Sequence, residues 1–516
     1  MSMDKIDIKA IPYVNELEGI HKRFDICEVH KDYYTCLERE EKENKIVPSL
    51  DEAIRLSGLK DGMTISFHHH FRNGDYVLNM VMDCIARMGF KNLTVAASSL
   101  NECHSPLIEH IRNGVVRRIE TSGMRGKLAE AVSRGLMDVP VVFRSHGGRA
   151  AAIETGVLKI DVAFLGAPSC DAFGNANGYS RDNDNGVICG SMGYAKTDAQ
   201  YACKVIIITD NIVPFPNVPF GIPQSDVDYI VKVDAIGDPN GIMSGATRFT
   251  KDPKELMIAE TAAEVIEHSG RFRQDFSVQM GSGGASLAVA HFLREKMLKK
   301  NIKARFALGG ITGQIVAMHE EGLIKKILDV QSFDLDAAKS LKNNRFHQQI
   351  SASYYASPNN EGTAVNQLDI VVLSALEVDT DFNVNVLTGS DGVIRGAIGG
   401  HSDTAAGASV SIIVCPLTRG RIPTIVDKVN TVVTPGNTVD IVVTDQGVVV
   451  NPLRKDLIDL LIKAGVSLCS IEDLKRKASK IVGIETPIEY TDKIVGVVTY
   501  RDGSVIDLIY QVKENE

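Results

Sequence analysis

Three short stretches combine residue types that chemistry can use. RGAIGGHSD (395–403) places a cation, Arg395, ahead of Gly399 and Gly400, which are followed by His401 and Asp403. Backbone N–H groups freed by paired glycines can line an oxyanion site, worth roughly 10²–10³ in rate per donor. The same pair also suits an ordinary turn. MGSGGAS (280–286) joins an apolar run to a helical one, and Gly281, Ser282, Gly283 and Gly284 would lie where a helix N-terminus offers unpaired N–H groups to an anion. It lacks a full GxGxxG and a Walker lysine, so it gives little support to NAD or ATP binding. HHHFRNGD (68–75) suggests metal at first glance. On a strand, however, alternation puts His68 and His70 on one face and His69 on the other, and no further His or Cys stands at zinc-ligand spacing. We expect no metal. His68, His70 and Arg72 instead suit a polar rim for carboxylates, although the histidines would serve equally to cap the next helix. SHGGR (145–149) and GATR (245–248) read as turns. No GxSxG elbow is present, and no cysteine has a histidine partner in sequence, which leaves a hydrolase triad without support.

The elements around these stretches alternate. TISFHHH (64–70) reads as a strand, YVLNMVMDCIARMG (76–89) as an amphipathic helix, and NLTVAAS (92–98) as a strand again. FSVQM (276–280) leads through GSGG into the helix SLAVAHFLREKMLKK (286–300), and ARFALGG (304–310) follows as a strand. Short β-branched runs between helices indicate parallel strands covered on both faces. VGVVTY and VIDLIYQV flank RDGS in a final hairpin.

Composition narrows the function classes. A chain of 516 residues is too long for one ordinary core. A net charge of −9, sparse aromatics and no Trp disfavour nucleic acid, which needs a basic footprint. Nine scattered cysteines without CxxC pairs fit reduced thiols. MSMDKIDIKA has no secretory pattern, and no apolar run approaches the ~20 residues of a membrane span, so we expect a cytoplasmic protein.

The two halves can be laid over each other. DVAFLGAPSCDAFGNANG (161–178) matches DIVVLSALEVDTDFNVNV (369–386) without gaps at Asp161/Asp369, Asp171/Asp379, Asn175/Asn383 and Asn177/Asn385. GVVRRI (114–119) lies over GLIKKI (322–327) at the same offset of 208 positions, which argues for duplication. We expect an α/β chain built as a tandem duplication of two open domains: a charged extension over 1–45, a first domain over 46–255, and a second over 256–516 that includes the C-terminal hairpin.

From about residue 48 onward the chain resembles the alpha subunits of bacterial citrate lyase, members of the CoA-transferase superfamily. The resemblance is carried by DGMTISFHHHFRNGDYVLNMVMDCIARMGFKNLT (61–94), FLGAPSCDAFGNANGY (164–179), SGATRFTKDPKEL (244–256) and FALGGIT (306–312). It continues in VQSFD (330–334), SALEVDTDFNVNVLTGSDGVIRGAIGGHSDTA (374–405) and RGRIPTIVDKVNTVVTPGNTVDIVVTDQGVVVNP (419–452). More distantly, the second half is similar to acetate and hydroxybutyrate CoA-transferases, which share ALEVD…NVN and a Gly-Gly loop before an Asp. The resemblance implies two domains of the NagB/CoA-transferase type. It also implies exchange of acetyl for citryl on a CoA-like thioester (phosphoribosyl-dephospho-CoA) supplied by an acyl carrier subunit, with no permanently bound cofactor. Citrate, acetate, a lyase beta subunit, the carrier gamma subunit and further copies of the chain are the partners expected.

Those covalent relatives carry a glutamate nucleophile where this chain has VQSFD, which contains no Glu. Glu377 does not replace it, because the relatives have that residue as well. Direct attack of citrate through a mixed anhydride is therefore expected. His68, His70, Arg72 and Arg395 are the candidates to bind citrate, and Gly399, Gly400 and His401 the candidates for catalysis. Gly281, Ser282, Gly283, Gly284 and Asn383 are the candidates to hold CoA or its thioester. The alternatives are a CoA-transferase using free acyl-CoA with another acid, or a non-catalytic ligand-sensing module of the same fold.

Overall fold

The computed structural model describes residues 44–181, 187–243, 250–281, 283–483 and 487–513. Most of the expected N-terminal extension, the GATR segment and Ser282 lie outside these residues. The apolar runs that suggested buried strands are fully covered. Leu93–Ala97, Val162–Gly166 and Phe276–Met280 are buried at every position, as parallel strands with helices on both faces must be.

Two mostly parallel sheets result, and they are wound alike. In the first, seven strands follow the order Tyr229–Lys232, Lys204–Thr209, Val162–Gly166, Thr64–Phe67, Leu93–Ala97, Val116–Thr121, Val141–Phe143. In the second the order is Ile441–Thr444, Val410–Val414, Ile370–Ser374, Phe276–Met280, Ala304–Ile311, Ile327–Ser332, His347–Gln349. Within these seven strands each half starts at its centre, builds outward on one side, then crosses back to the other. That reversal leaves a crevice beyond the carboxyl ends of the central strands, where such sheets collect ligands.

The matched stretches share local structure as well. Asp161 accepts a hydrogen bond from the Thr64 N–H at 2.9 Å, and Asp369 accepts one from Ser277 N–H at 2.9 Å. Ser169–Cys170 pairs with Ala176–Asn177 in the first half, and Glu377–Asp379 pairs with Val384–Asn385 in the second.

The edges differ between the sheets. Ile46–Val47 closes the first sheet beside Tyr229–Lys232. The C-terminal hairpin, Tyr490–Thr499 with Val505–Val512, was expected in the second domain; it instead adds to the first sheet beside Val141–Phe143. The turn residues fix the hairpin locally, but its partner strand is set by long-range packing of Val495, Val498 and Ile509 into the first core. Among the described residues, no helix is long and apolar enough to cross a membrane.

Candidate active site

The carboxyl ends of both central strands open onto one cavity of about 420 Å³. The first half supplies charged and polar side chains just past its strand ends: His69 and Arg72, then Ser99 and Asn101, then Ser122 and Arg125, with His146 beyond. The second half supplies mostly backbone and neutral groups, including Gly281, Gly283, Gln279, Gln331, Ser374 and Tyr355. A third wall is the segment Arg395–His401.

That segment belongs to the second half in sequence but is stitched to the first. Ile398 N–H donates to Ser122 O at 2.7 Å, Met124 N–H to Gly396 O at 3.0 Å, and His146 N–H to Gly399 O at 2.8 Å. Asp403 fastens the far end, accepting from Ser145 Oγ–H and from Gly147 N–H, both at 2.8 Å. Burial raises the Asp403 carboxyl to about 6. Gly399 has a φ of 56°, in the left-handed region that favours glycine, and a Cβ on Gly400 would stand 2.3 Å from the Tyr355 hydroxyl. The Gly399 and Gly400 N–H groups meet no acceptor among the described residues.

The histidines are arranged for packing more than for charge. His69, His146 and Tyr194 stack, with ring centroids 4.2–5.9 Å apart. Burial lowers His146 to about 3 and holds His69 well below its ordinary value, so both are neutral near pH 7. His401 is also lowered by burial, to about 4. Its Nε2 donates to Ser374 O at 3.0 Å and its Nδ1 accepts from Thr434 at 2.7 Å, leaving neither nitrogen for substrate.

Positive charge therefore rests on arginine. The Arg72 guanidinium lies 5.1 Å from the centre of the Phe333 ring, crossing from the first half to the second. Its backbone sits at φ 53°, a left-handed conformation costing roughly 1–2 kcal/mol in a non-glycine residue. Burial, then the nearby Arg125, lower Arg72 to about 10. Arg419 braces the opposite rim, donating to Ala375 O at 2.5 Å and Leu376 O at 3.0 Å. Arg395 is half-exposed at the mouth and paired with Asp391.

Of the residues expected from sequence, Arg72, Arg395, Gly281, Gly283, Gly399, Gly400 and His401 line this cavity. His68 and His70 do not: they face the opposite side of the strand end, where their Nδ1 atoms approach to 2.7 Å and burial suppresses their charge. His69 occupies the cavity face in their place. Gly281 lines the cavity, but its N–H donates to Val372 O at 2.7 Å and is not free. Gly284 lies behind the wall, with room for a Cβ closed off by Glu255 Oε2 at 2.8 Å. Asn383 braces its own loop, donating to Asp379 Oδ2 at 3.1 Å and accepting from Gly436 N–H at 2.9 Å. Asn101 and Arg125 carry no motif, each being a single polar residue, and Gln331 lies in VQSFD, which marks a missing glutamate and assigns no role to its own residues. Their shared signal is position, at or a few residues beyond the carboxyl end of a parallel strand.

Two sheets with this winding and a cavity between their strand ends define the CoA-transferase fold. A 4-hydroxybutyrate CoA-transferase from Porphyromonas gingivalis, at 18% identity, superposes with a TM-score of 0.52 over 84% of this chain and 96% of its own. Much closer in sequence is the citrate lyase alpha chain of Haemophilus influenzae, 60% identical over 93% of this chain and 95% of that one. The alpha subunit of citrate lyase from Streptococcus mutans, solved in complex with citrate, is 59% identical, with a TM-score of 0.89 over 92% of both chains. The family model for citrate lyase, alpha subunit, matches residues 43–512. The chain belongs to the citrate lyase alpha subunit family, an enzyme component of the CoA-transferase class.

Proposed function

We propose that the chain exchanges acetyl for citryl on the thioester of a CoA-like prosthetic group (phosphoribosyl-dephospho-CoA) borne by an acyl carrier subunit. A lyase subunit would then cleave the citryl thioester, in a cytoplasmic complex. The observation that carries this reading is the composition of the cavity wall. It contains four arginines (Arg72, Arg125, Arg395 and Arg419) and, among the described residues, no carboxylate. Such a wall suits a polyanionic acid, and it offers no Glu or Asp to form a covalent thioester. Gln331 and Phe333 of VQSFD line the wall where covalent relatives would place their nucleophile.

Direct attack follows. A citrate carboxylate oxygen adds to the acetyl carbonyl, the C–S bond breaks, and the thiolate leaves a mixed anhydride. The thiolate then attacks the citryl carbonyl, the C–O bond breaks, and acetate departs. Arg72 and Arg395 attract citrate; His68 and His70 enter only by shaping the strand end that carries Arg72. The free N–H groups of Gly399 and Gly400 suit the tetrahedral oxyanions, and His401 holds their loop in place without exchanging a proton. Gly281 and Gly283 leave space for the thioester arm, and Gly284 supports that side from behind the wall. Holding two carboxyl groups in line in an enclosed cleft supplies the entropic advantage and protects the anhydride from water. The common winding of the sheets and the paired Asp161/Asp369 contacts support an origin by tandem duplication of a NagB-like domain.

Two measurements test the reading together. Purified chain supplied with acetyl-CoA and citrate should release acetate only when citrate is present. Reduction of the acetyl-CoA-treated enzyme with borohydride should leave every glutamate intact; a glutamate converted to its alcohol would end the direct-attack route.

A further inference from the structure

The first-half wall holds donors that no described residue satisfies. Arg72 Nη1 is buried without a hydrogen-bond partner, and so is Asn101 Nδ2. The backbone that carries the Asn101 amide is fixed at the cavity wall: its N–H donates to His104 Nδ1 at 3.0 Å, and its carbonyl accepts from His104 N–H at 3.0 Å. Neither Arg72 nor Arg125 forms an ion pair among the described residues. Arg125 makes only a long contact, 3.4 Å, to Ser99 Oγ. Elsewhere in this half a buried arginine is matched, as Arg149 is by Asp198 at 2.7 Å. Two buried guanidiniums without a counter-ion, beside an unsatisfied amide, form a poor arrangement for an empty protein. They form a good one for a multiply charged acid.

We propose that Arg72, Arg125 and Asn101 form a clamp for the carboxylates that do not react, so that the enzyme selects di- and tricarboxylic acids over monocarboxylic ones. This rests on the transferase reading above and deepens it. Arg125 is the centre of the clamp, because its charge reaches Arg72, His69 and His146 alike. His69 and His146 stay neutral beside it and leave the charge of the first-half wall to the two arginines. Arg395, exposed and already paired with Asp391, lies outside the clamp. The wall opposite, built on Gly281 and Gly283, is left for the thioester.

Calorimetric titration of the full chain with citrate, propane-1,2,3-tricarboxylate and acetate tests the clamp. The wild type should bind both tricarboxylates at least 100-fold more tightly than acetate. Arg125→Met should weaken citrate about 100-fold, Arg125→Lys less, and Asn101→Ala about 10-fold. Thermal melting supplies a readout that a merely structural role would not give. Without ligand, Arg125→Met should melt at or above the wild-type temperature, since it removes an unpaired buried charge, and it should lose the rise that citrate produces in the wild type. Citrate affinity within threefold of wild type in a folded Arg125→Met would overturn the clamp, and so would equal affinity for acetate and citrate in the wild type. Polycarboxylate binding with the expected variant pattern but without thioester exchange would keep the clamp and remove the transferase reading. Exchange activity indifferent to Arg125 would do the reverse.

Discussion

The loops that follow the two central strands occupy the same place in identically wound sheets and have opposite characters. After Thr64–Phe67 the chain turns through His69 and Arg72, large side chains that reach into the cavity. After Phe276–Met280 it turns through Gly281 and Gly283, which present little but backbone. On the proposed reaction, the shared scaffold divides the work, with the charged loop for the free acid and the open loop for the carrier-borne thioester. The inequality goes with the absence of a carboxylate from the described wall, since the proposed direct attack needs both substrates side by side.

The contrast can be tested through the helix His146–Glu154, which both halves hold. Its own half grips it through Arg149 and Asp198, side chains only 6% and 0% exposed. The other half grips it through Asp403. Asp198→Ala should destabilise the fold by about 3–5 kcal/mol by stranding Arg149. Asp403→Ala should cost about 2 kcal/mol, for two neutral donors left unpaired. Urea denaturation measures both, and a reversed order would mean that the second half is the stronger anchor. Next, Gly283→Val places a Cβ 2.0 Å from Ser374 Oγ, forcing the bare loop to move. Turnover should fall roughly 100-fold, with citrate affinity changed far less; equal losses in both would erase the division of labour.

Much of this arrangement is legible in the residues themselves. The β-branched runs mark the strands, the GSGG and IGGH glycines mark close approaches, and the matched Asp161 and Asp369 mark the doubling. Alternation separates His69 from His68 and His70 but does not say which face meets the cavity, because that depends on how the sheet packs against the other half. Arg125 and Asn101 come to the site through strand order, which is set by contacts far apart in sequence. The hairpin's turn is evident from RDGS, whereas its docking on Val141–Phe143 is not.

Acid should also separate the halves. His68 and His146 in the first half are held by burial at about 4 and 3, against one such residue in the second, His401 at about 4. A depressed histidine contributes its full stability above pH 6.5 and loses it as pH falls toward its folded value. Each therefore adds about 1.4 kcal/mol per pH unit to the loss of stability below pH 6.5. His146→Phe should reduce that slope by about one such increment in a pH series of denaturation curves. An unchanged slope would show that His146 is already charged in the fold. The smallest effect is expected at the exposed rim. Arg395→Ala breaks a solvent-screened pair and should alter stability by less than about 0.5 kcal/mol, while weakening citrate more than the acyl donor in steady-state kinetics.

The return of the hairpin to the first sheet has a consequence for biosynthesis. Thr499 hydrogen-bonds Phe143 O across 356 positions of sequence. At a translation rate of 5–20 residues per second, the strand Val141–Phe143 waits roughly 20–70 s on the ribosome with one edge unpaired. A bare strand edge invites pairing with other chains. The nascent first half is therefore the species most in need of a chaperone, and slowing synthesis between the halves should lower the yield of soluble protein.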